Sequence, residues 1–413
     1  MPNLSERLKS LGVSVGTRNL PAPKPRARED HPIESVLPGN WWHTHQGDIF
    51  FTETKYKADF KVGSVSLKPS ASFKIIASYA REPKITELDI EQFAFIDTET
   101  TGLASGTGTY TFLVGIGRFE GDEFRLVQFF LHEPGEEIAQ LAAIEEFLAP
   151  CDAVVSFNGK TFDIPLLNTR YIINGWPPPF KQIPHIDLLH LARRLWKLRL
   201  PSRALGDLEA KILGLTRSQQ DVPGWMVADL YFDYLHTGDA RPLRGVFYHN
   251  EMDIVSLAAL LNHISALLAN PMENTIQHGL DLISIGKLYA DLGYLEEAAQ
   301  IYQRGLASDD VQNEAYWDSL QQLSFLHKKR GDLKTALSLW KQAADEGQIY
   351  AYVELAKHCE HQEKNIDSAL EWAQNGLNMI NAPDFPVYER EIWQAEFEHR
   401  IKRLERKLRR VDL

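Results

Sequence analysis

The chain has 413 residues, 44% of them hydrophobic and 24% charged, which is a globular composition with enough length for two or three domains. Its net charge of −12 excludes a nucleic-acid binder held by bulk electrostatics, so a polyanion would have to meet a local basic patch or a metal ion. The two cysteines, Cys151 and Cys359, fit neither a zinc nor a disulfide pattern, and no N-terminal segment has the pattern of a signal peptide, which predicts a soluble, cytoplasmic protein without membrane contact.

Residues 1–89 are predicted to form an extended, β-rich accessory region. The stretch LPAPKPRARED (20–30) is rich in proline and arginine and can bury little apolar surface. Two later runs, DIFFTETKY (48–56) and FKIIASYA (73–80), have the composition of short β-strands. We expect these strands to pack against the domain that follows, and the sequence does not indicate what they do.

Residues 90–269 alternate between strand and helix patterns. The predicted strands are Phe93–Asp97, Phe112–Phe119, Glu123–Leu131 and Ala153–Phe157, and the predicted helices are Glu136–Leu148, Thr161–Ile173, Leu188–Leu198, Pro201–Leu213, Val222–His236 and Ala240–Leu268. Turns at hairpin distance join the first three strands, whereas the fourth is reached through a helix. This order predicts an α/β domain with a mixed β-sheet flanked by helices.

Residues 275–413 are predicted to be all-α and contain an internal repeat. Aligned on Ala298, Ala336 and Ala369, three degenerate units are spaced by 38 and 33 residues. Over about residues 280–380 this pattern resembles tetratricopeptide repeats, which implies a concave surface for a protein partner, although the helices could instead only buttress the preceding domain. A basic helix, Val387–Arg410, follows, with a solvated face or a nucleic-acid contact as its two interpretations.

Asp97 and Glu99 stand at the end of the first strand of the α/β domain. Alternate side chains of a strand share a face, so these two carboxylates should lie side by side. Two neighbouring carboxylates repel each other, and a divalent cation between them would remove that repulsion. The simpler alternative is a solvated strand end followed by a polar turn, here the loop Ser105–Thr109. That loop reads as a hairpin connection and not as a phosphate-binding loop, because no Gly-Lys-Ser/Thr follows it.

Two more acidic residues lie downstream at positions where they need an explanation. Asp163 begins a helix shortly after Asn158, where a carboxylate could serve only as a helix cap. Asp253 lies inside a helix beside core-like residues, and an unpaired buried carboxylate is expensive. His249 is four residues before Asp253 and shares its face, whereas Tyr248 is rotated away.

Together these features form a pattern more specific than its parts. The segments FIDTETTGL, GTGTYTFLVGIG, SFNGKTFDIPLL and HNEMDIVSL resemble, in order and spacing, the DEDD exonuclease superfamily, and most of all its bacterial YprB-type branch. The resemblance covers about residues 90–268 and implies a ribonuclease H-like fold. It further implies a 3′–5′ exonuclease that hydrolyses phosphodiester bonds of single-stranded DNA or RNA with two Mg²⁺ or Mn²⁺ ions.

The resemblance also implies roles for individual residues. Asp97 would bridge both ions, Glu99 and Asp253 would complete one, and Asp163 would hold the second largely through water. A general base must deprotonate the attacking water, and an imidazole such as that of His249 suits this at neutral pH. In one subclass of the superfamily a Tyr precedes the last Asp by four positions, and in another a His precedes it by five. This chain has each residue in the other's place, so either His249 or Tyr248 could be the base, and the preferred reading gives that role to His249 and makes Tyr248 a substrate contact.

Further substrate contacts are predicted from charge and position. Arg193, Arg194 and Lys197 lie on a helix with no acidic residue and with Trp196 among them, as expected of a phosphate-tracking patch with a stacking ring, or of a plain solvated helix face. Thr100 and Asn158 are candidates to touch the scissile nucleotide. Asp187 would either support the site or cap its own helix.

Three functions follow from these residues. The first is the metal-dependent exonuclease. The second is a catalytically weak or inactive scaffold that binds nucleic acid and presents the helical repeats, as the exchanged His and Tyr would allow. The third, an endonuclease on the same fold, agrees less well with the motif spacing.

Overall fold

The structure, a computed structural model, describes residues 31–102, 108–273, 276–383 and 385–411. Its strands are β1 (Gly39–Thr44), β2 (Gly47–Lys57), β3 (Lys61–Val62), β4 (Val65–Ser66), β5 (Phe93–Thr100), β6 (Thr111–Glu120), β7 (Glu123–Phe130), β8 (Ala153–Ser156) and β9 (His185–Asp187). Its α-helices are α1 (Ile33–Val36), α2 (Lys74–Ala80), α3 (Glu137–Leu148), α4 (Asp163–Ile173), α5 (Leu188–Trp196), α6 (Leu205–Leu208), α7 (Val227–Thr237), α8 (Leu243–Ala269), α9 (Gly279–Asp291), α10 (Leu295–Leu306), α11 (Asn313–Lys329), α12 (Leu333–Asp345), α13 (Ile349–His358), α14 (Ile366–Ile380) and α15 (Val387–Val411).

A seven-stranded mixed sheet in the order β1-β2-β7-β6-β5-β8-β9 forms the centre of the first domain. Strand β5 pairs antiparallel with β6 on one side and parallel with β8 on the other. Strands β1 and β2 extend the same sheet beyond β7, so the sheet crosses the predicted domain boundary at residue 89. The predicted mixed sheet flanked by helices is therefore confirmed.

The two faces of the sheet are covered by different helices. Alternate residues of β5 separate between two apolar cores: Phe93 and Phe95 pack towards α5 and α8, and Ala94 and Ile96 towards α3, α4 and α7. The same alternation of side chains continues past the apolar run into the acidic end of the strand. Each polar side chain of β5 therefore lies on the face, and beside the helices, that the alternation assigns to it.

The run 73–80 is a helix, so the prediction of a strand there is wrong. Ile75, Ile76 and Ala77 are buried together as the inner side of helix α2, which lies in the core shared with α8. The helix ends at Arg81, which adopts a left-handed conformation with φ of 59° and donates its backbone N–H to the last turn. Tertiary packing has overridden the β-propensity of the two isoleucines.

The predicted helix Val222–His236 begins five residues later, at Val227. Pro223 and Gly224 interrupt the helical pattern, and residues 214–226 instead form an irregular segment that ends in one 3₁₀ turn. We call residues 214–226 the strap, because they contact helix α8 at several points between Gly245 and Asp253. Most of the predicted hairpin loop Ser105–Thr109 lies outside the described residues, and strands β5 and β6 beside it pair antiparallel as hairpin strands do.

Helices α9 to α15 form an all-helical region, as predicted. The aligned alanines Ala298, Ala336 and Ala369 are all fully buried on the second helix of successive pairs. The first pair, α9 and α10, shares one apolar core with α5 and α8 of the sheet domain, and later helices form two smaller cores. This packing favours a buttressing role for the first pair, while a tetratricopeptide character and a protein partner stay predictions.

Helix α8 is long and apolar enough to cross a membrane by length and composition alone. In the folded protein 72% of its most apolar 18-residue window is buried, as in a core helix of a globular domain. Its burial makes it weak support for a membrane span.

Candidate active site

Strand β5 and helix α8 together fix the carboxylate of Asp97. The strand pairs Asp97 with Gly115 of β6, where a Cβ atom would stand only 2.2 Å from Oδ1 of Asn250. The missing side chain therefore lets helix α8 lie directly on the strands. Asn250 uses this proximity to donate from Nδ2 to Oδ2 of Asp97 at 2.8 Å and to its carbonyl oxygen at 3.2 Å.

Asp163 at the start of α4 meets the opposite face of the same strand. Thr98 points away from α8, and its hydroxyl donates a short hydrogen bond to Oδ1 of Asp163. The turn before α4 is tight: Asn158 has φ of 66°, and a Cβ on Gly159 would lie 3.2 Å from Oδ2 of Asp163. Asp187 accepts the backbone N–H of Asn158 at 2.8 Å, so it supports this turn.

Asp187 also caps its own helix. Its carboxylate accepts the backbone N–H of Leu189 at 3.1 Å as well as that of Lys160 at 3.1 Å. The two roles that the sequence left open are thus combined in one side chain.

Asp253 of α8 is paired with an arginine that sequence reasoning missed. Arg217, in the strap, donates a short hydrogen bond to Oδ1 of Asp253. The same guanidinium binds both oxygens of Glu209 at 2.6 Å each. Glu209 is buried on a π-helical turn that follows α6.

His249 lies on the Asp253 side of α8 and is oriented by the strap. Its Nδ1 lies 2.7 Å from Oδ1 of Asp221, and its Nε2 lies 3.9 Å from Oδ2 of Asp253. An ionised carboxylate can only accept, so Nδ1 donates to Asp221, and Nε2 is the ring nitrogen that faces Asp253. Tyr248 instead accepts the backbone N–H of Ser218 at 3.2 Å and faces the strap.

The carboxylates are electrostatically unfavourable as they stand. Asp97 and Glu99 keep some solvent exposure, but protein crowds both, and desolvation together with repulsion from Asp253 raises the pKa of each well above its usual range. Burial raises the pKa of Asp163 to about 6, although the hydrogen bond from Thr98 acts in the opposite direction and lowers it. Among the described residues no hydrogen-bond donor reaches the Glu99 carboxylate. The guanidinium of Arg217, which contacts Asp253, therefore leaves the repulsion among these carboxylates only partly compensated.

The donor set suits a divalent cation. All four candidate ligands, Asp97, Glu99, Asp163 and Asp253, offer carboxylate oxygens, which Mg²⁺ and Mn²⁺ prefer. In the described part of the chain, however, no three His, Cys, Asp or Glu side chains stand close enough to enclose one ion. Thr98 holds Asp163 and Arg217 holds Asp253, so these two carboxylates have to reorient before they can share an ion with Asp97 and Glu99.

The predicted substrate contacts divide into two groups. Thr100 and Asn158 lie beside the carboxylates, although the Thr100 hydroxyl donates to the Gly102 carbonyl at 2.9 Å. Arg193, Arg194 and Lys197 are remote from them. With Lys287 they line a cavity of about 390 Å³ between α5 and helices α9 to α11, where Arg194 pairs with Asp291.

The position of Trp196 shows how far Arg193, Arg194 and Lys197 lie from the carboxylates. The indole is 1% exposed and stacks on His263 at a centroid distance of 6.2 Å. His263 follows Asp253 by ten residues, roughly 15 Å along the helix. A buried ring cannot stack on a base, so that part of the prediction is wrong, and a phosphate contact at Arg193, Arg194 and Lys197 stays a prediction.

The strap supplies most of what sequence reasoning missed at the site. Arg217 and Asp221 come from it, and so does Trp225, whose side chain is 79% exposed. Trp225 adjoins Gly224, on which a Cβ would lie 4.0 Å from Nε2 of His249. The dipeptide Pro223-Gly224 was the available signal, because it argues for a loop where a helix was predicted.

The sheet and its flanking helices, with carboxylates gathered at the end of β5, define a nuclease-fold domain of the ribonuclease H type. Residues 94–265 match the family model RNase_H_2 of the RNase_H superfamily. The chain is also 34% identical over 292 residues to the uncharacterized protein YprB of Bacillus subtilis strain 168, with 69% of this chain and 68% of that protein covered. The chain therefore belongs to the YprB family within the RNase H superfamily.

A solved structure gives a more remote likeness. The family B DNA polymerase of Pyrobaculum calidifontis matches with a TM-score of 0.32 and 15% identity, over 48% of this chain and 29% of that chain. Similarity at that level supports no conclusion about this protein.

Replacing Asp163 with Asn is expected to stabilise the metal-free protein at neutral pH. The Asp163 carboxyl has a pKa of about 6 in the fold against about 3.9 unfolded, so the folded state binds more protons between these values and loses stability as pH rises through them. Asn cannot ionise and so does not lose this stability. In EDTA at pH 7.5 the melting temperature of the Asp163→Asn variant should exceed that of wild type by about 2–6 °C. The gain should disappear near pH 4.

The matched control is Asp122→Asn, at a fully exposed carboxylate. Thermal unfolding of both variants and wild type from pH 4 to 8 measures the effect. A pH-independent difference for Asp163→Asn, or destabilisation at pH 7.5, would contradict the raised pKa of the buried Asp163 carboxyl.

Proposed function

We propose that this protein is a divalent-metal-dependent 3′–5′ exonuclease of the DEDD type that acts on single-stranded DNA or RNA. The observation that carries the proposal is the gathering of Asp97, Glu99, Asp163 and Asp253 at one end of the sheet, with the pKa of Asp97, Glu99 and Asp163 raised. Such a cluster is unstable without positive charge, and membership in the RNase H superfamily supports a nuclease.

The protein's own groups have separable roles in this proposal. Asp97, Glu99, Asp163 and Asp253 would hold Mg²⁺ or Mn²⁺, which supplies charge stabilisation for in-line displacement at phosphorus when bound. Asn250 keeps the Asp97 carboxylate aimed from β5. His249, oriented through Nδ1 by Asp221, accepts the proton of the attacking water at Nε2.

The surface beside His249 favours an unpaired strand as substrate. Trp225 is 79% exposed and follows Gly224, where a Cβ would lie 4.0 Å from Nε2 of His249. Base stacking on an exposed aromatic ring needs bases that are free of a complementary strand. The protein is acidic overall, so stacking and bound cations have to replace the phosphate contacts of a basic groove.

Trp225→Ala is therefore expected to weaken binding of a single-stranded oligonucleotide by about 5- to 100-fold, which is the range of one base–aromatic stacking contact. Trp225→Phe is the matched control, because it keeps a ring and should bind within about threefold of wild type. Fluorescence anisotropy with a labelled oligonucleotide in Ca²⁺ measures the affinity. Equal affinity of Trp225→Ala and wild type would remove Trp225 from the substrate path.

The proposed function is tested by a panel of substrates incubated with Mn²⁺. Linear single-stranded DNA and RNA, labelled at the 5′ end, should give a ladder of products shortened one nucleotide at a time. Circular single strands should resist. Cleavage of the circles would indicate an endonuclease, and no hydrolysis of any substrate would exclude the enzyme.

One observation favours the alternative of an inactive scaffold. The positive charge of Arg217 already neutralises the charge of Asp253, as expected of a former metal site that no longer binds an ion. In the described part of the chain, no three candidate ligands enclose a common point. Calorimetry with Mn²⁺ separates the two functions. Ion binding at micromolar to millimolar concentration is expected of the nuclease, and none is expected of the scaffold.

A further inference from the structure

Arg217 is held more firmly than a surface arginine. Its guanidinium makes a two-pronged pair with Glu209, whose carboxylate is 2% exposed, while the arginine side chain itself is 13% exposed. Planar bidentate pairs of this kind fix both partners. Glu209 therefore anchors the guanidinium, and the bond to Asp253 is an additional one.

This bond is made at the place where a metal ligand is needed. Nη2 of Arg217 binds Oδ1 of Asp253, so a fixed positive charge contacts one of the four candidate ligands. Nη1 lies 3.4 Å from both Oδ2 of Asp221 and Nδ1 of His249. The guanidinium thus contacts a candidate ligand and the pair that orients the candidate base.

We propose that Arg217 is an internal cation that competes with the divalent ion for Asp253, so that ion binding requires Asp253 to exchange the guanidinium for the ion. The inference rests on the metal site of the proposed function and adds a residue of this chain that sets its affinity. Arg217 keeps its Glu209 partner throughout, so only the hydrogen bond to Asp253 is given up. Arg217 is a positioning residue in this scheme and contacts no substrate.

The test compares Mn²⁺ binding by two double variants of the full chain in calorimetry. Glu209→Gln with Arg217→Gln removes the competing guanidinium and its anchor at unchanged net charge. Arg199→Gln with Asp281→Asn is the control, since that pair is also bidentate, at 2.8 Å for both bonds, similarly buried, and remote from the carboxylates. We expect the first variant to bind Mn²⁺ at least about tenfold more tightly than wild type, as loss of a competing charged hydrogen bond allows, and the control to match wild type.

A second measurement needs no neutralising variant. In wild type labelled with ¹⁵N-arginine, the Arg217 side-chain resonance should shift on titration with diamagnetic Mg²⁺, while that of Arg199 should not. Arg217→Lys, which keeps the positive charge, identifies the Arg217 resonance by its loss.

The outcomes separate this inference from the proposed function. Equal or weaker Mn²⁺ binding by the Glu209→Gln, Arg217→Gln variant, in a protein that binds the ion and hydrolyses oligonucleotides, overturns the competition and leaves the nuclease intact. Ion binding by the Glu209→Gln, Arg217→Gln variant but not by wild type supports the competition, and it would explain a low activity of the wild-type protein. Absence of binding in both wild type and variant overturns both proposals.

Discussion

Asp97→Asn is expected to reduce Mn²⁺-dependent release of nucleotides by at least about 10³-fold while leaving the protein folded. In the proposed function Asp97 is an anionic metal ligand, which an amide cannot replace, so the loss should appear in the rate at saturating substrate. The fold should persist, because the Asn side chain can still accept the hydrogen bond that Asn250 donates to Asp97. Removal of a carboxylate whose pKa is raised by crowding and repulsion should even stabilise the metal-free protein.

The measurement pairs initial rates with thermal unfolding of the same preparations. Asp122→Asn, at a fully exposed side chain, controls for the chemical change and should retain the wild-type rate. A rate for Asp97→Asn within tenfold of wild type, with an intact fold, would contradict the assignment of the carboxylate cluster as a metal site. A loss of rate accompanied by unfolding would instead assign Asp97 to the fold.

Much of the architecture follows from local patterns in the sequence. The apolar run Phe93–Ile96 predicts the strand, and the alternation of side chains along a strand predicts the common face of Asp97 and Glu99. Helix spacing predicts that His249 and not Tyr248 lies beside Asp253, and the structure places them so. These are short-range regularities, with periods of two or of about four residues, and they are visible without knowledge of the tertiary fold.

What the sequence could not show depends on contacts between distant segments. Arg217 lies 36 positions before Asp253 in an irregular segment, and no periodicity links the two. Trp196 looked like a stacking ring beside basic residues, but it is buried in the core that α5 and α8 share with the first helix pair of the C-terminal region. The run 73–80 became a helix because its apolar residues fill the core beneath α8. In each case tertiary packing decided the outcome.

The strap is the element that connects these late findings. It brings Arg217 to Asp253, Asp221 to His249, and the backbone of Ser218 to Tyr248. Close packing at Gly245 of α8 accommodates the strap, since a Cβ there would meet Val222 at 2.4 Å. Both His249 and Tyr248, whose order on α8 is the reverse of the order in the superfamily patterns, therefore have a hydrogen-bond partner in the strap.

His249→Gln is expected to lower the hydrolysis rate by about 10²- to 10⁴-fold, whereas Tyr248→Phe should lower it by less than about threefold. Gln keeps a polar side chain near Asp221 but offers no basic nitrogen towards Asp253, where Nε2 of His249 now lies at 3.9 Å. Phe removes only a hydroxyl that accepts a backbone N–H from Ser218, so its effect should be a loss of about 1 kcal/mol in stability. Rates at saturating Mn²⁺ and substrate, together with unfolding curves, distinguish these effects. The reverse order, with Tyr248→Phe the slower enzyme, would mean that the tyrosine leaves the strap to act as the base, and that the pairing of His249 with Asp221 serves only the fold.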